Sequence, residues 1–312
     1  SDEKLKYLKA IDQSTNTTYY TDNNGDVMLP MNIGTQVRYK LEGDYANVET
    51  NGITPDIFQN LAATNNIVFN NSNSTIQERT AYYAVNMIHD HLKIVFPTFT
   101  GLDIPIQTNI DHDEPNTPGP DYCNANYKSW ENSINFFPEG DGCNATANVV
   151  DVVYHEYGHA INSNRYGAFG MQNGGLNEGF ADVWAFTLTQ DPVLGIGFYQ
   201  NNSTGFIRRY DQDRKVYPQD LVGEVHADGE IIAGAFWDTY LNLGNMNQMI
   251  DLFKYTFDGA PDGPNGNEGE IYTDILIEVL YADDDDGDLT NGTPNDLAII
   301  EAFALHGITL IS

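Results

Sequence analysis

Apolar residues recur along the chain with two different periods, and the change of period divides it. Up to about residue 75 they come in short β-branched and aromatic runs, at 18–20, 37–41 and 67–69, set apart by turn clusters such as 22–26 and 42–44. Runs of this kind between Asn, Asp and Gly residues predict strands. From Thr80 the period lengthens: Ala81, Ala84, Val85, Ile88 and Leu92 fall on one face of a helix, with Pro97 just beyond it. A loop-rich stretch follows to about residue 147, with a strand-like piece at 133–137. Helical spacing then dominates, over 149–165, 176–190, 229–243, 248–257, 271–282 and 294–306, and the Thr293-Pro294 step supplies the last start signal. No internal repeat is visible. The expected outline is a β-rich first half and a helical second half, meeting near residue 150.

Composition narrows the function classes. With 14 Lys and Arg against 45 Asp and Glu, the formal charge is −31. Nucleic acid is excluded as a partner, because neutralising phosphates takes clustered cations. The densest basic runs here are Lys4, Lys6 and Lys9, and Arg208, Arg209, Arg214 and Lys215. No apolar stretch is long enough to span a membrane, so membrane insertion is not expected, and the first 30 residues lack the basic and apolar regions of a signal peptide. At 41% hydrophobic residues the chain should nevertheless build a sizeable core. Its two cysteines, Cys123 and Cys143, are either free thiols or a bridge closing a loop of about 20 residues, worth roughly 3 kcal/mol in the chain-entropy model. The bridge is the expectation taken here, and with it a secreted, processed, monomeric chain.

The chemistry concentrates at His155-Glu156-Tyr157-Gly158-His159. Two histidines four apart on a helix point from one face, at the separation one zinc ion needs from two imidazoles, and Glu156 beside them can accept a proton from water. The bland alternative is a helix whose histidines merely lie one turn apart. A catalytic zinc needs a third protein ligand. One known scheme places Gly three and His six residues after the motif; Asn162 and Arg165 occupy those positions, which excludes it. The remaining candidate is Glu178, in Leu176-Asn177-Glu178-Gly179-Phe180-Ala181-Asp182, with Asp182 one turn further on the same face to accept a ring N–H from a zinc histidine.

On these residues the chain resembles the gluzincin metallopeptidases, the thermolysin and fungalysin families, and the fungalysins most. Asp151-Val-Val-Tyr-His155 is similar to the thermolysin lead-in, and the stretch from Val225 to Ala233, containing His226, looks like the fungalysin segment whose histidine stabilises the transition state. Asn124-Ala125 resembles the edge strand that holds peptide substrate in thermolysin, and Asn86 to Asp90 resembles a fungalysin piece. The resemblance spans roughly 76–245. It implies an α+β, two-lobed fold, a β-rich N-terminal lobe and a mainly α-helical C-terminal lobe with the zinc site between. It implies peptide or protein substrates and one zinc held by His155, His159 and Glu178. It further implies Glu156 as general base, His226 as oxyanion donor, Asp182 orienting His155, and Arg208 facing the substrate carbonyl. Two features depart from the pattern. Phe169 stands near the position of an oxyanion-binding tyrosine, with Tyr166 a nearby substitute, and Thr189 stands where a second calcium glutamate belongs, so the paired-calcium site is not expected.

Other readings stay open. The segment 283–292 is either a solvated charge run or a calcium loop using Asp284, Asp286 and Asp288, though its spacing is not that of an EF-hand. Residues 111–114 read as an exposed loop, and His89 and His91 as core or surface histidines. The expected division is a β-rich region 1–75, either the start of the N-terminal lobe or a small β-sandwich left from a precursor, then 76–165 with the zinc helix, then a helical lobe 166–312. The function expected is a zinc endopeptidase. A zinc aminopeptidase is the nearest rival, although the Gly-x-Met-Glu-Asn segment that such enzymes use is missing upstream of the motif. A catalytically silent binding or adhesion module is the alternative from another class.

Overall fold

The computed structural model describes residues 3–115 and 121–310. They form a mixed α+β molecule, β-rich in its N-terminal part and helical in its C-terminal part, that separates into two compact units. The first takes in the chain up to Lys93, Thr98–Tyr157 and Ile196–Gly205; the second takes in Ile94–Pro97, Gly158–Gly195 and the chain from Phe206 onward.

The first unit is organised by a sheet of eight strands: β1 (Leu8–Asp12), β2 (Thr18–Tyr20), β3 (Gln36–Gly43), β4 (Ala46–Thr50), β5 (Asp56–Asn60), β6 (Ile106–Ile110), β7 (Ala125–Lys128) and β8 (Ser133–Phe136). Their order is β2-β1-β3-β4-β6-β8-β7, with β5 also paired to β3, so β7 is an edge. Alternation does the sorting: Val37, Tyr39 and Leu41 of β3 and Ile106, Thr108 and Ile110 of β6 are buried, while the residues that alternate with them are not. β4 and β6 are parallel, which requires a crossover, and α1 (Ile76–Val95) lies in that connection. A capping box starts α1. The Thr75 hydroxyl accepts from the Glu78 N–H at 3.2 Å and Glu78 accepts from the Thr75 N–H at 2.7 Å.

The opposite face of β4, β6, β8 and β7 carries a chain of side-chain amides. Asn47 donates to Gln107 (2.7 Å), Gln107 to Asn109 (2.9 Å), Asn109 to Asn135 (2.7 Å), Asn135 to Asn126 (2.9 Å) and Asn126 to Glu114 (2.9 Å). Every bond runs toward the carboxylate, which also takes Lys128 at 2.8 Å. Aligned dipoles of this kind strengthen one another. Burial pushes the Glu114 carboxyl up, but the bonds from Lys128 and Asn126 outweigh it and hold it below its ordinary range.

Residues 111–114 form a loop as expected, with Asp113 exposed, but His112 and Glu114 are only 18% and 24% exposed and meet Lys128. The strand expected at 67–69 is absent as well. Asparagines compete for its backbone: the Asn73 amide donates to the Val68 carbonyl, and Asn73 Oδ1 accepts from the Asn70 N–H. His89 is a core residue, stacked on Tyr45 with ring centroids 3.5 Å apart and its Nε2 3.1 Å from Asp103. The cysteine bridge forms as expected, joining Cys123 to Cys143 across 5.3 Å between Cα atoms.

The helices beyond residue 149 follow the sequence pattern to within a few residues: α2 (Val150–Arg165), α3 (Gly174–Thr189), α4 (Val225–Leu243), α5 (Met246–Gly259), α6 (Glu268–Asp283) and α7 (Asp296–Leu305). An aromatic core of Phe180, Trp184, Phe236, Phe253, Phe257 and Phe303 unites the second unit, with ring centroids 4.9–5.9 Å apart. α3 and α4 cross at glycines. A Cβ on Gly229 would lie 2.8 Å from both the Gly175 carbonyl and the Gly179 nitrogen, and one on Gly179 would lie 2.6 Å from the Gly229 carbonyl. No helix among the described residues is long and apolar enough to cross a membrane.

Candidate active site

The site is built on α2 and α3. α2 buries Val152, Val153, Tyr157, Ala160 and Ile161, and this places His155 and His159 together on another part of its surface. Gly158 lets α3 approach, since a Cβ there would meet the Ala181 Cα at 2.9 Å. α3 starts where Asn173 caps it by accepting from the Leu176 N–H at 2.8 Å. The residues before it are held by Asp262, which accepts from the Gln172 and Asn173 N–H groups at 2.8 and 3.0 Å. Glu178 therefore projects from the first turns of a firmly held helix.

One ligand atom from each of His155, His159 and Glu178 lies within 4.8 Å of the other two. His159 Nε2 is 3.5 Å from Glu178 Oε1, and His226 Nε2, from the first turn of α4, is 3.5 Å from Glu178 Oε2. His155 and Glu156 are each 5% exposed. Two imidazole nitrogens and a carboxylate oxygen make a donor set suited to zinc, with a fourth position left for water or substrate.

Several partners of these residues are invisible in the motif. Asn177, immediately before Glu178, places Oδ1 3.1 Å from His159 Nδ1. Glu224 caps α4 by accepting from the His226 and Ala227 N–H groups, and its Oε1 lies 2.7 Å from His226 Nδ1. Burial pushes the Glu224 carboxyl up, but its bonds from His226 and Ala227 hold it below its usual range. The only sequence signals are adjacency: Asn177 precedes the glutamate, and Glu224 stands two before the histidine.

Asp182 is 1% exposed and takes a two-pronged contact from Arg208, Nε to Oδ2 at 2.7 Å and Nη2 to Oδ1 at 2.8 Å, together with the Tyr210 hydroxyl. Arg208 reaches it from a short ribbon in which Arg208–Arg209 pairs with Val193–Leu194. Of the remaining sequence candidates, Ala125 opens edge strand β7, and the exposed Asn124 carbonyl accepts from the Phe137 N–H at 3.3 Å. Phe169 is 89% exposed, and the Tyr166 hydroxyl donates to the Pro261 carbonyl at 3.2 Å. In the acidic loop, Asp284, Asp285 and Asp286 converge, whereas Asp288 accepts from the Thr290 N–H at 3.0 Å.

The fold is of the thermolysin-like metalloprotease type. Among solved structures, the precursor of protealysin, a metalloproteinase from Serratia proteamaculans, is similar to this chain with a TM-score of 0.58, covering 85% of this chain and 86% of that one at 16% identity. No protein-family model and no curated protein matches the chain.

Proposed function

We propose that the chain is a secreted zinc endopeptidase hydrolysing internal bonds of peptide or protein substrates. The observation that carries this reading is the convergence of His155, His159 and Glu178 on one point, with Glu156 in the same helical turn and His226 aimed at Glu178. In it, His155, His159 and Glu178 hold the ion. When bound, zinc supplies Lewis acidity, lowering the pKa of water and polarising the scissile carbonyl. Glu156 takes the proton of the attacking water and delivers it to the departing amine nitrogen. His226 donates from Nε2 to the developing oxyanion while Glu224 holds its Nδ1–H, so the carboxylate balances the imidazolium that two donated bonds require. Asp182 keeps Arg208 in place, and the resemblance gives Arg208 the substrate carbonyl. Asn124 and Ala125, at the edge of the sheet, are suited to pairing with an extended peptide. The Cys123–Cys143 bridge supports an oxidising, extracellular setting. The fungalysin affinity rests on sequence alone, on the residues from Val225 to Ala233 and from Asn86 to Asp90.

The test is cleavage mapping by mass spectrometry on an unstructured protein with blocked ends. Internal cuts abolished by a chelator and restored by zinc are expected. Release confined to free N-termini would replace the endopeptidase by an aminopeptidase, and stoichiometric zinc without any cleavage would favour a binding module. Glu156→Gln should lower kcat by about 10² to 10⁴-fold with zinc content unchanged.

A further inference from the structure

Beyond the residues that would touch metal or substrate, a buried polar chain leads away from His159. The Trp184 indole N–H donates to Asn162 Oδ1 at 3.3 Å. The Asn162 amide then donates to both the Asn177 carbonyl (3.0 Å) and Asn177 Oδ1 (2.9 Å), and that same Oδ1 faces His159 Nδ1 at 3.1 Å. Asn162 and Trp184 are each 0% exposed.

We propose that Asn162, oriented by the Trp184 indole and the Asn177 carbonyl, is a positioning residue that fixes the tautomer and orientation of His159 through Asn177. The argument is one of donors and acceptors. An indole nitrogen can only donate and a peptide carbonyl can only accept, so Asn162, set between the two, has one permitted orientation, with oxygen toward Trp184 and NH₂ toward Asn177. The atom of Asn177 that meets this NH₂ must be its oxygen. His159 Nδ1 meets the same oxygen and therefore carries the proton, which leaves the Nε2 lone pair on the side of Glu178. The indole and the Asn177 carbonyl thus select, through two amides, the imidazole form that can bind a metal. Partners of this kind are worth about 10- to 100-fold in metal affinity. The consequence for metal rests on the zinc reading; the tautomer does not.

Two variants test it. In Asn162→Asp a carboxylate replaces the NH₂, so Asn177 must turn its own NH₂ inward and His159 must accept at Nδ1, moving the proton to Nε2. Asn162→Leu removes the donor without supplying another, so nothing fixes the Asn177 amide and mixed tautomers result. Long-range ¹H–¹⁵N NMR of the metal-free protein near about pH 8, above the ordinary histidine pKa, reads the protonated nitrogen directly, with the His159 signal assigned by its loss in His159→Gln. Wild type should show Nδ1–H. Zinc affinity by chelator competition should fall about 10- to 100-fold in Asn162→Asp. Nδ1–H retained as the sole form in both variants, or in Asn162→Leu alone if Asn162→Asp does not fold, overturns the proposal. If wild type binds no zinc, the zinc reading fails and the NMR result still decides the network.

Discussion

His91 is 9% exposed on α1, and burial pushes its pKa down to about 4. The unfolded imidazole titrates near about 6.5, so between these values the unfolded chain binds a proton that the folded chain does not. Its contribution is therefore complete above about pH 6.5 and is lost as pH falls toward about 4, on the order of 3 kcal/mol in all. Urea unfolding across this window should show stability rising with pH, and His91→Gln should flatten that part of the profile. An unchanged slope would assign the titration to another group. Individual residues differ in how far their roles can be read in advance. The helical periodicity at 149–165 places His155 and His159 on one face without any tertiary information. Glu224 could not be found that way, because its bond to His226 depends on the non-helical backbone of a cap.

At the scale of elements, the α3–α4 crossing has the least tolerance. A Cβ on Gly229 would also lie 2.9 Å from the Glu178 Cβ, so separating these helices displaces a member of the histidine–glutamate cluster. Gly229→Ala should cost about 1–3 kcal/mol in thermal or urea unfolding and weaken metal uptake along with it. Normal stability and metal affinity in that variant would mean that the helices have room to part. The helices of the second half were legible because each carries an apolar stripe and a start or stop residue of its own. The strands β1, β4, β5 and β6 were not, each being five residues long and set among polar ones. The run at 67–69 shows the converse, since β-branched composition loses to asparagine side chains that capture the backbone.

Over the whole molecule the charge of −31 remains to be placed. Arginines are spent on specific carboxylates, Arg208 on Asp182, Arg214 on Asp238 and Arg38 on Asp56, and 45 acidic residues far exceed the available partners. The unmatched carboxylates repel one another, and repulsion is screened as the Debye length falls from about 30 Å at 0.01 M salt to about 3 Å at 1 M. The melting temperature should therefore rise with sodium chloride over that range at fixed pH; calorimetry showing no change would mean the charges are already too far apart to matter. The sequence by itself determined the helices and set His155 and His159 on one helical face, because helical period and i, i+4 spacing are properties of near neighbours; the Cys123–Cys143 bridge and Glu178 it offered only as candidates. Tertiary structure alone decided the strand order, the amide chain from Asn47 to Glu114, and the link from Trp184 to His159. Asn47 and Gln107 are 60 residues apart, and Trp184 and Asn162 are 22 apart. Nothing local to either partner announces the other, and only the packing that buries both makes an unmet hydrogen bond costly enough to select them.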